Sequence, residues 1–217
     1  MGFKEPHLLY QQKENYMKRK ITEYLVEKLI ERETIPQNEK DLYQYGLSEG
    51  ITIIQNILYT LLIGIIFGNI IETITFLCFY ILLRSFAGGY HAETEKNCFL
   101  YSILLVIVVE IIFTAMHYGQ WNFFKLIVLA IASAIILCFS PLDNINKPIS
   151  ESEKRKFKKI VYKVLLIGII ILLLSCVLAI EEIESGIIMG IIIEALLLVI
   201  GKFKQKRKSF YINVSSH

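Results

Sequence analysis

Six long apolar blocks constrain this 217-residue chain more than any other feature of its sequence. A helix needs ~20 apolar residues to cross the hydrocarbon core of a bilayer, and backbone groups there must be paired within the segment. The blocks therefore predict an all-α polytopic membrane helix bundle with six transmembrane helices, the second of them the shortest. They cover residues 51–71, 73–88, 99–118, 122–142, 160–180 and 183–201.

Basic residues are segregated along the chain, and this predicts the orientation of the helices. Lysine and arginine are concentrated in residues 1–50, 143–159 and 202–208, whereas the turn at residues 181–186 is acidic. Cytoplasmic loops of membrane proteins carry an excess of basic residues. If six helices alternate in direction, all three basic stretches lie on one side, so we expect both termini to be cytoplasmic.

The same pattern divides the chain into three parts. Residues 1–50 form a cytoplasmic or interfacial amphipathic region, residues 51–201 form the six-helix transmembrane domain, and residues 202–217 form a basic cytoplasmic tail. Within the first part, residues 13–34 repeat apolar side chains at helical spacing before Pro36. Either this helix lies on the anionic inner leaflet or it packs on the bundle. Its predicted apolar and basic stripe contains Ile21, Tyr24, Leu25, Lys28, Leu29 and Arg32.

A polar segment, RSFAGGYHAETEKNCF, interrupts the apolar pattern after the second block and contains both His91 and Cys98. A cysteine nucleophile needs a base within hydrogen-bonding distance. On one straight helix the two residues would be ~10 Å apart along the axis. They form a dyad only if the chain bends between them, and Gly88 and Gly89 give the backbone that freedom. Considered alone, the pair also fits a surface histidine and an unreactive cysteine.

The residues around this pair favour a reactive thiol. Asn97 is a candidate N-cap for the third transmembrane helix, which would place Cys98 in the first turn. The helix dipole favours a thiolate there. Arg84 adds a second positive charge and could instead bind a substrate carboxylate or an oxyanion. Glu93 and Glu95 could orient His91, although exposed loop carboxylates are more often simply solvated.

Two glutamates and three further cysteines lie inside apolar blocks. Glu110 and Glu194 are near the middles of their predicted helices. Such carboxyl groups mark functional sites or hold helices together through hydrogen bonds, and we favour the second reading. The cysteines are expected to act as small apolar residues; they are Cys78, Cys138 and Cys176.

The pattern Arg84–x4–Gly89–x–His91–x6–Cys98, after the second predicted helix, resembles that of the accessory gene regulator B family. The segment PLDNINKP, at residues 141–148, and the basic N-terminal region are also similar to that family. These are membrane cysteine endopeptidases that mature quorum-sensing peptides.

The resemblance implies a reaction in two stages at the cytoplasmic face of a bacterial cell membrane. Cys98, activated by His91, would cut a short amphipathic precursor peptide and retain part of it as a thioester. A cysteine or serine of the retained part would then close a thiolactone or lactone ring. Arg84 and Gly89 match family positions needed for cleavage.

The sequence also allows other functions. A small multi-pass transporter or peptide exporter would use polar groups within the membrane and broken helices. A non-catalytic scaffold would leave the motif at residues 84–98 without a purpose. We expect no metal, no organic cofactor and no nucleic acid partner. The partners are the lipid bilayer and the precursor, and homodimerisation is open because no motif encodes it.

Overall fold

A computed structural model describes residues 6–89, 95–118, 122–142 and 150–215 of the chain, and the described part is helical, with no β-strand. The all-α prediction is therefore confirmed for these residues. Seven α-helices follow one another: α1 (Pro6–Glu31), α2 (Lys40–Phe67), α3 (Ile70–Ala87), α4 (Glu95–Tyr118), α5 (Asn122–Phe139), α6 (Glu151–Leu178) and α7 (Glu181–Ser215). A single 3-10 turn, Gln37–Glu39, precedes α2.

Five of these helices are long and apolar enough to cross a membrane, namely α2, α3, α4, α6 and α7. In α5 the apolar stretch Lys125–Phe139 is shorter. The chain is thus a membrane protein by the length and composition of its helices. The count of six spans and the cytoplasmic position of both termini stay predictions.

The helices extend beyond the predicted blocks at the basic segments. Ser150 caps α6: its hydroxyl accepts from the Glu153 backbone, and the Glu153 side chain accepts from the Ser150 backbone. This reciprocal pair satisfies two otherwise unpaired donors and fixes the start of the helix. The basic run at residues 154–159, expected in a loop, therefore lies on the first turns of α6.

The first of two structural units comprises Met1–Leu58. The predicted N-terminal helix is present as α1. Thr22 and Val26 are buried, whereas Ile21 and Tyr24 are exposed. The predicted apolar and basic stripe thus lies largely on the exposed side of α1. Exposed apolar side chains are also what a helix lying on lipid would present, so the interfacial position stays a prediction.

The second unit comprises Tyr59–His217, and α3 and α7 lie at its centre. One face of α3 is buried along its whole length, through Glu72, Phe76, Phe79, Leu83 and Ala87. This spacing of three or four residues places the side chains on one side of the helix. The α3 face and α7 contribute to both apolar clusters of the unit, one shared with α5 and α6 and the other with α4.

Two glycines let α7 approach α3 closely. A Cβ on Gly186 would lie 2.7 Å from the Glu72 carbonyl oxygen, and one on Gly190 would lie 3.2 Å from the Phe79 Cβ. Small residues four apart commonly form such contacts between transmembrane helices. Because the contact moves from Glu72 to Phe79 as α7 advances from Gly186 to Gly190, the two helices run parallel.

The neighbours of this pair fix which ends of the helices come together. Contacts between α3 and α4 show antiparallel packing, since Thr73 bonds to Glu110 and Glu72 to His117. At the opposite end of α3, Phe86 packs on Phe157 of α6. These contacts show that the C-terminus of α3 and the N-termini of α4 and α6 lie at the same end of this unit.

Candidate active site

The chain turns sharply after α3, and this turn explains two of the predicted site residues. Arg84 donates a hydrogen bond of 2.8 Å to the Gly88 carbonyl, and Gly88 donates back to the Arg84 carbonyl at 3.3 Å. Gly89 has a φ of 136°, which side-chain-bearing residues rarely adopt. A Cβ on Gly89 would also overlap the Arg84 guanidinium. The Arg84 guanidinium thus occupies the space beside Gly89 that a side chain there would take, and the φ of Gly89 by itself favours glycine.

The backbone just after α5 packs against the same turn. The Leu142 amide donates a hydrogen bond of 2.8 Å to the Ala87 carbonyl. Gly88, with a φ of 78°, lies so close that a Cβ would be 2.8 Å from the Leu142 carbonyl oxygen. The turn is thus held by Arg84 on one side and by the backbone after α5 on the other. It therefore fixes the backbone at residues 88 and 89, directly after α3.

Cys98 lies in the first turn of α4 and is half-buried. Its carbonyl accepts a hydrogen bond of 2.9 Å from the Ser102 hydroxyl, so its backbone is part of the regular helix. The predicted position of Cys98, in the first turn of this helix, agrees with the structure. Asn97, in contrast, is not the N-cap, because α4 begins two residues earlier, at Glu95.

The other predicted site residues fall largely outside the described residues. His91 and Glu93 lie in the gap between residues 89 and 95, and the side chain of Glu95, the first residue of α4, is likewise not described. The pairing of His91 with Cys98, and the orienting roles of Glu93 and Glu95, therefore stay predictions.

Polar and ionisable side chains from α3, α4 and α7 interact with one another, and the sequence did not identify them as a group. The hydroxyl of Tyr80 lies within electrostatic range of Arg84, Cys98 and Glu194. Arg84 and Glu194 also interact electrostatically. Tyr80 is held by its ring, which stacks on Phe76 with centroids 5.4 Å apart. The spacing of Tyr80 and Arg84, four residues apart on α3, could have pointed to a shared face.

Glu110 belongs to a different polar group, toward the start of α3. Its carboxylate accepts hydrogen bonds from Thr73 at 2.7 Å and from Asn69 at 3.1 Å. Asn69 also reaches Thr114 at 3.1 Å. These bonds join α3 to α4, which is the structural role favoured for Glu110 from the sequence. The same role was favoured for Glu194, but no hydrogen bond to either of its oxygens occurs within the described part of the chain.

A hydrogen-bonding contact between His117 and Glu72 joins α4 to α3 at the same end. His117 Nε2 lies 2.9 Å from a Glu72 oxygen. A separate ion pair joins α5 to α7, where Lys125 Nζ lies 3.4 Å from Glu184 Oε1. The aromatic neighbours of His117 predict a membrane-interface belt, but the histidine itself contributes a polar contact between helices.

The remaining cysteines do not join the group around Cys98. Cys78, Cys138 and Cys176 are exposed on their helices, and all four cysteines are free thiols. No group of three or more metal-ligating side chains occurs among the residues described. The absence of a metal and of other cofactors stays a prediction.

The fold and site define a class: an all-α membrane protein with several candidate spans and a half-buried cysteine in the first turn of one of them. The sequence model of the family AgrB, accessory gene regulator B, matches residues 18–198. The chain therefore belongs to the accessory gene regulator B family, which acts in accessory gene regulation and quorum sensing in bacteria.

Curated relatives agree with this assignment. The chain is 28% identical over 164 residues to AgrB-like protein 2 of Clostridium perfringens (strain 13 / Type A), which covers 73% of this chain and 77% of the relative. It is 23% identical over 180 residues to Protein FsrB of Enterococcus faecalis, covering 82% and 73%. It is 31% identical over 127 residues to accessory gene regulator protein B of Staphylococcus aureus (strain Newman), covering 58% and 63%. No solved structure matches the chain.

Proposed function

We propose that this protein is a membrane cysteine endopeptidase that matures a quorum-sensing signal. Its substrate is a short amphipathic precursor peptide, and its nucleophile is Cys98 with His91 as the base. The observation that carries the proposal is the position of Cys98. This half-buried thiol lies in the first turn of α4, which begins shortly after the Arg84–Gly89 turn in the chain, and it interacts electrostatically with Tyr80 of α3.

The first step of the proposed reaction forms an acyl-enzyme. His91 takes the thiol proton of Cys98, and the sulfur attacks the carbonyl carbon of the scissile peptide bond. The bond to nitrogen then breaks, and the imidazolium returns the proton to the departing amine. The C-terminal part of the precursor leaves, while the N-terminal part stays on Cys98 as a thioester.

The second step closes a ring within the retained peptide. A cysteine thiol or serine hydroxyl of that peptide loses its proton to His91 and attacks the thioester carbonyl. The bond to the Cys98 sulfur breaks, the thiol recovers its proton, and a thiolactone or lactone departs. A thioester keeps the acyl group activated, so this step depends mainly on proximity.

Arg84 and Gly89 support the reaction through the shape of the turn. The hydrogen bond from Arg84 to the Gly88 carbonyl and the close fit of Gly89 set the path of the chain just before His91. The site belongs at the cytoplasmic face of the membrane, where lipid and the bound precursor limit the access of water to the thioester.

The deciding experiment measures precursor cleavage in membranes. The precursor would be the short peptide encoded beside this protein, and the variants are Cys98→Ser and His91→Ala. Cys138→Ser is the matched control, because this cysteine is exposed on α5 and lies outside the polar cluster. We expect both site variants to lose cleavage and the control to retain it, at equal levels of inserted protein.

The acyl-enzyme can be detected directly. A peptide adduct on wild-type protein that hydroxylamine releases, and that Cys98→Ser lacks, would support the thioester. Cleavage by Cys98→Ser at the wild-type rate would refute the endopeptidase proposal.

A further inference from the structure

One face of α6 carries lysines at its beginning and apolar side chains along the rest. Three lysines and three apolar residues follow one another there at intervals of three or four residues, and all six are exposed: Lys156, Lys159, Lys163, Ile167, Ile170 and Leu174. This spacing keeps side chains on one side of a helix. We call these six residues the lysine face of α6, in which the cations continue the line of the apolar side chains.

The opposite side of α6 packs on the protein, so the lysine face points away from the bundle. Its buried residues recur at the same intervals, from Val161 through Leu165 and Leu172 to Ser175. The three apolar members of that set belong to the cluster shared with α3, α5 and α7. Since α6 is long and apolar enough to cross a membrane, the exposed apolar part of the lysine face is covered by lipid acyl chains.

The length of α6 places its lysines at the membrane surface. Its 28 residues span ~42 Å, whereas the hydrocarbon core is ~30 Å thick and the bilayer with its headgroups ~40–45 Å. The first turns of α6 therefore lie at the level of the headgroups. Lys163 is one turn deeper, and its long apolar stem lets the ammonium group reach the same level.

The cations of the α6–α7 hairpin are all at one end. No lysine or arginine occurs between residues 164 and 201, and α7 begins with Glu181, Glu182 and Glu184. At the other end of α7, Lys202 Nζ lies 3.7 Å from the ring centroid of Phe139 at the end of α5. The contact of Phe86 with Phe157 places the start of α6 at the C-terminal end of α3. The hairpin thus presents positive charge to only one leaflet.

We propose that the lysine face of α6 is a binding surface for anionic phospholipids. The ammonium groups of Lys156, Lys159 and Lys163 donate hydrogen bonds to phosphate oxygens, and the apolar residues contact the acyl chains of the same lipids. The unbroken apolar line beneath the lysines favours a lipid over an acidic peptide in water, which would match only the charges. The inference does not rest on the proposed peptidase activity, and it goes beyond insertion in a bilayer because it predicts headgroup selectivity at one end of α6.

A fluorescence experiment on the full-length protein in phosphatidylcholine vesicles tests this selectivity. Trp121, the one tryptophan of the chain, would be replaced by phenylalanine, and Ile167→Trp would place a reporter directly beneath the lysines. Quenching is compared between brominated phosphatidylglycerol and brominated phosphatidylcholine at equal mole fractions. One lysine near the membrane surface favours an anionic lipid by about fivefold, so we expect at least this preference at the reporter.

Removal of the three charges tests the assignment to the lysine face. In the combined variant Lys156→Gln, Lys159→Gln and Lys163→Gln, we expect the preference to fall below about twofold. Quenching by brominated phosphatidylcholine should stay at the level of the parent protein, which shows that α6 is still inserted. The corresponding arginine variant keeps the charges and should keep the preference.

Two matched controls lie on the same helix. Val177→Trp places the reporter at the other end of α6, also exposed but remote from any lysine of the helix, and both lipids should quench it equally. Lys154→Gln removes the same charge from the opposite side of α6, where the ammonium already donates a hydrogen bond of 3.1 Å to Glu151. We expect it to leave the preference at Ile167→Trp within about twofold of its value in the parent protein.

Salt provides a second measurement that requires no lysine variant. Raising the ionic strength from ~10 mM to ~1 M shortens the screening length from ~30 Å to ~3 Å, so the preference should decrease steeply. A preference that salt does not change, equal quenching of Ile167→Trp by the two lipids, or an undiminished preference in the triple glutamine variant would each overturn the proposal. Loss of precursor cleavage in that variant with its lipid preference intact would assign the lysines to an acidic peptide instead.

Discussion

The close approach of α7 to α3 depends on Gly186 more than on Gly190, and alanine at each position tests this. A Cβ on Gly186 would lie 2.6 Å from the Thr75 Cβ, 2.7 Å from the Glu72 carbonyl oxygen and 3.0 Å from the Phe76 nitrogen. Two of these atoms are backbone and cannot move independently of α3. On Gly190 the three distances are 3.2, 3.4 and 3.5 Å, so small adjustments suffice.

These distances give the size of the effect. Ordinary contact begins at 3.4 Å, so Gly186→Ala requires the helices to separate by about 0.7 Å, the difference between 3.4 and 2.7 Å. Overpacking of this kind costs about 1–3 kcal/mol, and the backbone contacts put Gly186→Ala near the upper end. Alanine recovers about 1 kcal/mol of helix propensity at either position. We expect Gly186→Ala to lower the free energy of unfolding by about 2 kcal/mol and Gly190→Ala to be close to neutral.

The assay is unfolding of the purified protein in mixed micelles, followed by circular dichroism as the fraction of dodecyl sulfate increases. In a thermal scan, a difference of about 2 kcal/mol corresponds to roughly 4–8 °C for a protein of this length. Equal stability of the two variants, or a lower stability of Gly190→Ala, would refute this account of the α3–α7 contact.

Two further predictions concern the glycine turn and the Glu110 network. Gly89→Ala introduces a Cβ that overlaps the Arg84 guanidinium. It also places a residue with a side chain at a φ of 136°, and this backbone strain costs about 1–3 kcal/mol. A displacement near 1 Å at the site can cost ~100-fold in rate, so cleavage of the precursor should fall by about that factor. Thr73→Val removes the hydroxyl that donates to Glu110 at 2.7 Å, and it should lower the free energy of unfolding in mixed micelles by about 1 kcal/mol.

Each of these predictions has a matched control. Gly46→Ala adds the same methyl group in α2, where nothing lies within 4 Å, and should leave cleavage unchanged. Thr75→Val removes a hydroxyl that bonds within its own helix, to the Ile71 carbonyl at 2.9 Å, and should change stability by less than about 0.5 kcal/mol. Cleavage retained in Gly89→Ala, or equal losses of stability in the two threonine variants, would contradict the respective arguments.

The candidate site was predictable only as far as local sequence determines it. The position of Cys98 in the first turn of a helix followed from the polar break before an apolar block. The structural role of Arg84 and Gly89 could not be predicted, because the sequence does not show that the arginine side chain folds back beside the glycine. Asn97 was assigned as the N-cap because its residue type favours that position, yet the helix begins at Glu95. Helix starts depend on neighbouring turns as well as on the capping residue itself.

The apolar blocks by themselves determined the all-α class and the membrane environment. A span must be long enough to cross the hydrocarbon and must pair its own backbone groups, and both conditions can be read from a single segment. Tertiary structure decided which of the two buried carboxyl groups, Glu110 or Glu194, is satisfied by hydrogen bonds. The two look alike in sequence, each a lone carboxyl group in an apolar helix. Their difference lies on other helices: Asn69 and Thr73 donate hydrogen bonds to Glu110, whereas neither oxygen of Glu194 has a hydrogen-bond partner among the described residues. Partners that come from distant parts of the chain are set by helix packing, which no local pattern encodes.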